Sequence, residues 1–404
     1  MALDTVAAPG TVESADDDPV VRRTAELAKQ FAARAEELDR TGAFPAADFD
    51  DLFAAGLNAP TIPVEHGGLG LGPFRRRAHP LWMMTTELAK ADLSLARCWE
   101  GHANALTLID ALGSEPQRTR WFDGVVKRGE KWVAWSGEPQ APKPGEARRF
   151  GTTVTRTEDG WLVDGSKAFA TSATGADWAI LLVNPAGPGG ARHLGGGDDS
   201  LLLLACQLTH PSITVDTSWW DPVGMRATAS HLVRFDHTPV PDAWSIGEPG
   251  AYLREGWQTA FIPHYSASFL GAAEGAYRYA LEYLERQAKG GDPFVQQRVG
   301  RMAVDTRTAH LWLAHVGELW DSGRREPAQT AGSQARHLIE HLALSTVDNC
   351  IRACGARSLI RPSPVERILR DLTFYVRHDN ADHILATIGR AALGLVHDPS
   401  FYKP

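Results

Sequence analysis

The spacing of apolar residues changes twice along this chain of 404 residues, and these changes constrain the fold more than any other feature. A helical pattern extends from residue 18 to about Lys127, and at Lys131 it gives way to short runs with a period of two. After Pro241 the helical spacing returns and continues to about residue 394. This order predicts an α+β protein in which a central antiparallel β-barrel or sandwich lies between an N-terminal helical domain and a C-terminal four-helix bundle.

The same pattern predicts the limits of the domains. Residues 1–17 are small and acidic without periodicity, which predicts a disordered tail. We expect the helical domain at 18–130, the β domain at 131–245 and the bundle at 246–404. The predicted bundle helices span about 256–286, 293–322, 329–353 and 365–394. The Gly-rich segment 184–200 predicts a mobile surface loop.

Composition argues against several classes of partner. The net charge of -8 and the sequence pI of about 6.0 favour neither nucleic acid nor an anionic membrane. An apolar run of the ~18 residues that a membrane-spanning helix needs is missing, and so is a signal peptide, which predicts a cytoplasmic protein. Cys350 and Cys354 are either half of a metal site or part of a buried helix face, and because nothing completes a ligand set we predict no metal.

Short motifs in a fixed order resemble the acyl-CoA dehydrogenase superfamily. The segment FPAADFDDLFAAGLNAPTIPVEHGGLGLG at 44–72 is similar to its N-terminal helical domain, and GMRAT at 224–228 to its inter-strand loop. Arg370-Asp371, a short turn and a helix ending in Arg390 resemble the C-terminal signature. The resemblance covers about 20–398, and it implies a flavin between the β domain and the bundle, and a homotetramer.

The turn before the last helix departs from the family pattern. Common members read Y-E-G-T there and use the Glu to remove a substrate proton, whereas this chain reads RHDN at 377–380. The alternative base of the family, on the first bundle helix, falls on Ala267, followed by Ser268. Without either carboxylate, proton abstraction beside a thioester lacks its usual base. The His-Asp pair instead resembles the two-component flavin monooxygenases built on this fold.

That resemblance implies reduced flavin, FADH2 or FMNH2, delivered by a separate NAD(P)H:flavin reductase. Its reaction with O2 would give a C4a-hydroperoxide that oxygenates a small organic substrate, and the 13 tryptophans favour an aromatic or polycyclic one. The catalytic candidates are His378 as hydrogen-bond donor, Asp379 or Asn380 to orient it, and His102. The alternatives are a solvated turn residue for His378 and a core helix histidine for His102.

The resemblance also implies contacts for the flavin and the substrate. The ring contacts are expected from the strand-end segments WSGEP and FATS, and the phosphate contacts from the bundle. The candidates are Trp135, Ser136, Phe169, Thr171 and Ser172 for the ring, Arg286 and Gly355 for the phosphates, and His264 and Tyr265 for the substrate. Thr171 and Ser172 could also be ordinary strand-end residues.

Two rival functions stay open at this point. One is an acyl-CoA dehydrogenase with a non-standard base, although the family's G-S-D loop is replaced by QAPKPGEARR at 140–149. The other is a flavin-free binding or scaffold protein on the same fold.

Overall fold

A computed structural model of the protein describes residues 18–140, 150–186 and 200–395. The predicted tail at 1–17 lies outside the described residues, as does most of the predicted loop at 184–200. The start of that loop was predicted wrongly. Asn184 belongs to a strand, and its side-chain oxygen accepts a hydrogen bond from the Phe150 backbone N–H at 3.0 Å.

The N-terminal part of the chain is helical, as predicted. Its five helices are α1 (Pro19–Thr41), α2 (Ala46–Ala54), α3 (Ala78–Ala91), α4 (Leu93–Leu112) and α5 (Glu115–Arg128). Helix α1 begins where the Asp18 carboxylate accepts the Val20 N–H at 2.9 Å, and it ends at Gly42 in the left-handed region. Most of α4 is buried, which makes it the central helix of this part.

The central strands form one mixed sheet. They are β1 (Trp132–Trp135), β2 (Thr153–Arg156), β3 (Gly160–Ala170), β4 (Trp178–Pro185), β5 (Leu202–Gln207), β6 (Ile213–Asp216) and β7 (His231–Pro241). Their order is β1-β4-β2-β3-β7-β6, and β5 also pairs with β4.

The predicted antiparallel barrel or sandwich is therefore corrected to a curled, mixed sheet. Strand β4 runs parallel to β1 and β2 and antiparallel to β5. All eight residues of β4 are buried, as expected of a strand with parallel neighbours and both faces covered. Its sequence WAILLVNP shows this burial but does not show which strands pair with it.

The C-terminal part is a helical bundle. After short turns at Ala251–Arg254 and Trp257–Ala260 come α6 (Ile262–Arg286), α7 (Pro293–Asp321), α8 (Arg325–Cys354), α9 (Pro364–Tyr375) and α10 (Ala381–Ala392). The fourth predicted bundle segment is thus two helices separated by the turn 376–380. Within the described ranges, no helix combines the length and apolar character needed to cross a bilayer.

Helix α9 is fixed against the sheet and the first helix. The Asp371 carboxylate accepts the Met225 backbone N–H at 2.6 Å, and the Arg370 guanidinium contacts Asp39 at 2.6 Å. Gly224 lies so close to α9 that an added Cβ would be 2.3 Å from the Arg370 carbonyl oxygen. Because α9 leads directly into the turn 376–380, these contacts also position that turn.

The close approach of α3 and α6 gives a test of the packing. A Cβ added at Gly271 would lie 2.4 Å from the Thr86 carbonyl oxygen and 2.5 Å from the Ala89 Cβ. We expect Gly271→Ala to lower the free energy of unfolding by about 1–3 kcal/mol, as overpacked cores do. Denaturant unfolding measures this change.

Gly101→Ala in α4 is the matched control for this test. The nearest atom to its added Cβ is Arg97 Nη1 at 3.8 Å, an ordinary contact. This variant should gain up to about 1 kcal/mol from the higher helix propensity of alanine. Equal effects of the two substitutions would contradict the packing described for Gly271.

Candidate active site

The turn 376–380 is held in place by a buried ion pair. Arg336 of α8 is fully buried and donates to Asp379 through Nε at 2.9 Å and Nη2 at 2.5 Å. Nη2 also donates to the Val376 carbonyl oxygen at 3.0 Å. From α6, the Tyr265 hydroxyl donates to Asp379 Oδ2 at 2.7 Å. Two helices therefore bind one carboxylate of the turn.

The charges of this cluster keep Asp379 ionised. Burial by itself would raise the pKa of Asp379, but His378 and the Arg336 guanidinium outweigh burial and lower the pKa below its ordinary value. Arg336 also contacts Glu340, which lies one helical turn further along α8. Both oxygens of Asp379 thus accept hydrogen bonds from Arg336 or Tyr265.

His378 lies between two tyrosine rings. Its ring centroid is 4.4 Å from that of Tyr265 and 4.9 Å from that of Tyr375, while the residue stays accessible to solvent. Its Nδ1 is 3.2 Å from the Tyr375 carbonyl oxygen. Because a carbonyl can only accept, this contact requires the proton on Nδ1 and leaves Nε2 as an acceptor.

His378 is neutral at physiological pH. Its dense surroundings lower its pKa to about 4; the Asp379 charge opposes this effect, and the charges of Arg97 and Arg336 add to it. The neutral ring with its proton on Nδ1 can accept a proton at Nε2. From the sequence we expected His378 to act as a hydrogen-bond donor, and donation from Nε2 would need the other tautomer.

A second buried network extends from His378 to α3. The Glu100 carboxylate of α4 accepts the Tyr375 hydroxyl at 2.6 Å, Arg97 Nη1 at 3.1 Å and the Asn104 amide at 3.4 Å. The Asn104 oxygen in turn lies 2.8 Å from His264 Nδ1. Both oxygens of Glu100 therefore accept hydrogen bonds from other side chains, and burial raises the pKa of this carboxyl above its ordinary value.

The predicted substrate contacts His264 and Tyr265 have structural partners. Nε2 of His264 lies 2.7 Å from the Thr85 hydroxyl, so both ring nitrogens of His264 are occupied. Burial and the Arg97 charge lower the pKa of His264 to about 3. Tyr265 binds Asp379 through its hydroxyl and contacts His378 with its ring, so the structure places it beside the turn.

The catalytic candidate His102 connects α4 to the sheet. Its Nε2 lies 2.7 Å from the Asn58 carbonyl oxygen, and its Nδ1 accepts the Trp132 backbone N–H at 2.9 Å. The residue is 1% exposed, and burial lowers its pKa to about 4. With no ring nitrogen left for a ligand, His102 has a structural position and we leave it out of the site.

Three other predicted residues also lie outside the cleft beside His378. The Asn380 side chain accepts the His383 N–H at 2.9 Å and caps α10. Arg286 is 21 residues from Tyr265 on α6, or about 30 Å at 1.5 Å per residue. Gly355, just after α8, is similarly far from Arg336. Neither Arg286 nor Gly355 can contact a group bound beside His378 of the same chain.

The five predicted flavin-ring residues lie together near the end of β3. Phe169 is 55% exposed and adopts a φ of 50°, so its ring offers a free aromatic face. The Trp135 indole donates to the Thr171 carbonyl oxygen at 3.0 Å, and Ser136 follows Trp135 directly. The Ser172 hydroxyl is buried without a hydrogen-bond partner. An exposed aromatic ring with hydroxyl side chains in the same segment fits a flavin ring, which is flat and carries hydrogen-bonding edges.

The tryptophans near the sheet fall into two groups. Trp132 and Trp178 are buried and stack at 5.2 Å, so they belong to the core. Trp219 and Trp220 instead contact Phe169, with ring centroids 5.0 and 6.0 Å away. Trp220 also contacts Phe374 of α9 at 5.6 Å. Only this second group borders the flavin-ring residues.

A groove of about 600 Å³ lies elsewhere, between α1, α3, α6 and α9. Its floor is lined by alanines of α1, and its rim carries charges of both signs, including Lys90, Arg278 and Glu282. It does not include His378 or the flavin-ring residues, so we assign it no part in the chemistry.

Sequence reasoning missed four charged residues of the site. Arg336 and Glu340 are four apart on α8, and Arg97 and Glu100 are three apart on α4. This spacing is typical of ion pairs on solvated helix faces. The burial of such a pair would have been predictable only if it stood within an otherwise apolar helix face. The residues around Ile339 indicated such a face only weakly.

The architecture of helices, curled sheet and helices around this cleft is that of the acyl-CoA dehydrogenases. The family model for the acyl-CoA dehydrogenase N-terminal domain matches residues 18–129, and the model for the C-terminal domain matches 264–383. Together they cover more than half of the chain. The chain belongs to the acyl-CoA dehydrogenase family.

Relatives in this family carry two kinds of name. YdbM of Bacillus subtilis, named among the acyl-CoA dehydrogenases, is 27% identical over 87% of this chain and 90% of its own length. Dibenzothiophene monooxygenase of Rhodococcus qingshengii is 24% identical over 94% of both chains. SfnC of Pseudomonas putida, whose name describes an FMNH2-dependent monooxygenase, is 25% identical over 95% of this chain and 98% of its own.

A solved structure shares the fold. TdsC of Paenibacillus sp. A11-2, solved with FMN and indole, superposes with a TM-score of 0.85 over 96% of this chain and 100% of its own, at 24% identity. At 24% identity, this similarity shows that the two chains share a fold.

The Arg336–Asp379 pair gives a test of the site's construction. We expect Asp379→Asn to lower the free energy of unfolding by about 3–5 kcal/mol, because it leaves Arg336 buried with less compensating charge. Tyr265→Phe should cost only about 1 kcal/mol, since Asp379 keeps both Arg336 contacts. Urea unfolding at pH 7 measures both values.

The pH dependence provides the control for that test. The folded-state pKa of Asp379 is lowered, so its stabilisation is complete above the ordinary carboxyl pKa of 3.8 and is lost as pH falls through the lower, folded value. The difference between wild type and Asp379→Asn should therefore shrink below about pH 4. A difference that stays constant from pH 7 to pH 3 would contradict an ionised Asp379.

Proposed function

We propose that the protein is a flavin-dependent monooxygenase of the two-component type. It takes reduced flavin from a separate NAD(P)H:flavin reductase and uses O2 to add one oxygen atom to a small, aromatic or polycyclic organic substrate. The other oxygen atom leaves as water, and the flavin supplies the two electrons. Reduced flavin, when bound, provides the oxygen activation; the residues of this chain provide the binding surfaces and the proton transfers.

The hydrogen bonds of two carboxylates favour an oxygenase over a dehydrogenase. Both carboxylates next to His378 are occupied: Asp379 by Arg336 and Tyr265, and Glu100 by Arg97, Asn104 and Tyr375. A dehydrogenase needs a free base beside the substrate's α-carbon. Among the described residues around His378, the free proton acceptor is the His378 imidazole itself, whose pKa of about 4 makes it a weak base.

The printed names of relatives support the same choice. Dibenzothiophene monooxygenase, SfnC and the FMN and indole complex of TdsC all point to reduced flavin and a small organic substrate, and the last favours FMN over FAD. Because YdbM is named as an acyl-CoA dehydrogenase, dehydrogenase activity is the second candidate function. That candidate predicts that some acyl-CoA bleaches the oxidised flavin without oxygen, whereas the monooxygenase predicts no bleaching.

In this proposal each part of the cleft has a task. Phe169 would cover one face of the flavin ring, and the Ser172 hydroxyl would hydrogen-bond to its edge. The aromatic residues Trp219, Trp220 and Phe374 exclude water from that side. His378 Nε2 accepts a proton from the reacting groups and returns it, while Arg336 and Asp379 hold the turn in position.

We also propose a cytoplasmic homotetramer. Val304 and Leu311, two turns apart on α7, are 61% and 56% exposed, and Leu385 of α10 and Leu393 just after it are 44% and 78% exposed. Apolar side chains at such positions favour burial against further copies of the chain. Light scattering measures the assembly, and a cytoplasmic location fits the supply of NAD(P)H to a reductase.

The proposal is tested by His378→Ala. The protein is loaded with reduced FMN, mixed with oxygenated buffer containing indole or dibenzothiophene, and assayed for ¹⁸O incorporation and for hydrogen peroxide. We expect oxygenated product per flavin to fall at least about tenfold and peroxide to rise correspondingly, because proton transfer is lost. His237→Ala, an exposed histidine of β7, is the control and should leave both yields unchanged.

Wild-type absorbance in the same mixing experiment gives the independent check. A near-ultraviolet transient should precede the return of the oxidised flavin spectrum. Immediate return of that spectrum, together with equal peroxide yields in wild type and His378→Ala, would reject the monooxygenase and favour the dehydrogenase.

A further inference from the structure

We propose that Arg97 binds an oxyanion on the substrate, of the carboxylate or sulfinate class, and thereby orients the substrate toward His378. This inference rests on the proposed function, because it names the substrate class of the same site. Arg97 lies on α4, with its guanidinium carbon 5.9 Å from the ring centroid of Tyr375. The Tyr375 ring is in turn 4.9 Å from that of His378. A ligand bound to Arg97 therefore lies about one aromatic ring away from His378.

In the Arg97–Glu100 pair, the arginine is partly exposed to solvent and the glutamate is buried. The Glu100 side chain is 2% exposed and accepts hydrogen bonds from Arg97, Asn104 and Tyr375. The Arg97 side chain is 24% exposed; its Nη1 donates to Glu100 at 3.1 Å, and the guanidinium also interacts with the Tyr375 hydroxyl. These contacts use at most two of its five N–H donors, so the carboxylate is buried while the guanidinium is partly exposed and has donors to spare. The pair thus presents a cation to its accessible side.

The other charged groups around the cleft do not compensate Arg97. Asp379 is bound by Arg336 and Tyr265, and His378 is neutral. Glu340 is bound by Arg336. A neutral apolar substrate would cover the free donors of Arg97 without replacing their water contacts, which is unfavourable. An oxyanion would match the planar, two-pronged donor geometry of the guanidinium.

The test compares two ligands of equal shape and different charge. Binding of benzoate and benzamide to the FMN-loaded protein is measured by calorimetry. Wild type should bind benzoate at least about tenfold more tightly, because a charge-assisted hydrogen bond is lost with the amide. Arg97→Gln should abolish this preference, and Arg97→Lys should retain part of it. Equal binding of the two ligands by wild type, or an undiminished preference in Arg97→Gln, overturns the proposal.

Two further variants control for folding and for general charge. Removing Arg97 alone leaves Glu100 buried with fewer partners, so the double variant Arg97→Gln, Glu100→Gln removes both charges together and should also lose the benzoate preference. Arg377→Gln removes a neighbouring positive charge whose side chain is 69% exposed and pairs with Glu340 at 3.4 Å. It should leave the preference unchanged. Loss of the preference in Arg377→Gln would show that the general charge of the region is responsible and would overturn the assignment.

A flavin phosphate is the other oxyanion that Arg97 could bind, and comparing FMN with riboflavin separates the two. If Arg97→Gln lowers the affinity for FMN but not for riboflavin, Arg97 binds the phosphate and the substrate assignment is overturned. The near-ultraviolet transient that follows mixing of reduced flavin with oxygen is recorded separately in wild type. Absence of the transient with an intact benzoate preference rejects the proposed function, whereas a transient without a benzoate preference rejects the role of Arg97.

Discussion

The buried contact between Arg336 and Asp379 is the interaction on which the rest of the site depends. It joins the middle of α8 to a turn between two short helices, and Tyr265 of α6 binds the same carboxylate. A buried ion pair adds little net stability because both ions lose water, but its geometry is specific. The turn has few apolar anchors, since Arg377, His378 and Asn380 are all exposed. Electrostatics, more than apolar burial, therefore fixes the position of His378.

The hydrogen bonds made by the carboxylates of Asp379 and Glu100 determine what chemistry the site can support. A free carboxylate beside the flavin would favour removal of a substrate proton, as in the dehydrogenases of this family. Here the carboxylates of Asp379 and Glu100 are both consumed in holding other residues. What faces the cleft is a neutral imidazole with a pKa of about 4 and two tyrosine rings. A base as weak as this imidazole suits the relay of a proton from an acidic reacting group better than the removal of a proton from a weakly acidic carbon.

Much of the fold could be predicted from the sequence, because local signals determine it. Asp18 and Gly42 bound α1, and the change of period at Lys131 marks the start of the strands. The parallel pairing of β1 with β4 was not predictable, since it joins Trp132 to Trp178 across 46 residues. Periodicity shows that a strand is buried, whereas its neighbours depend on contacts far apart in the chain.

The site was predictable only where its residues occupy the family's motif positions. His378 and Asp379 were predicted from their place in the turn, and Phe169 and Ser172 from their place in the segment FATS. His102 and His264 were predicted from their positions on helices that line the ligand site in the family. Their partners Asn58, Trp132 and Thr85 come from distant segments that the sequence does not connect to them. The missed residues Arg336 and Arg97 have helical spacing that is usual on a surface, and only packing shows them to be inside.

The proposed cleft has two unlike walls. Phe169, Trp219 and Trp220 form an aromatic wall that reaches Phe374, and the next residue, Tyr375, belongs to the polar wall with His378 and Arg97. One helix, α9, thus supplies adjacent residues to both walls. Asp371 joins α9 to the segment between β6 and β7, and Arg370 joins it to α1, so the two walls share one anchored helix. A planar substrate with one polar end would satisfy both walls at once, whereas a flexible acyl chain would leave the guanidinium of Arg97 uncompensated.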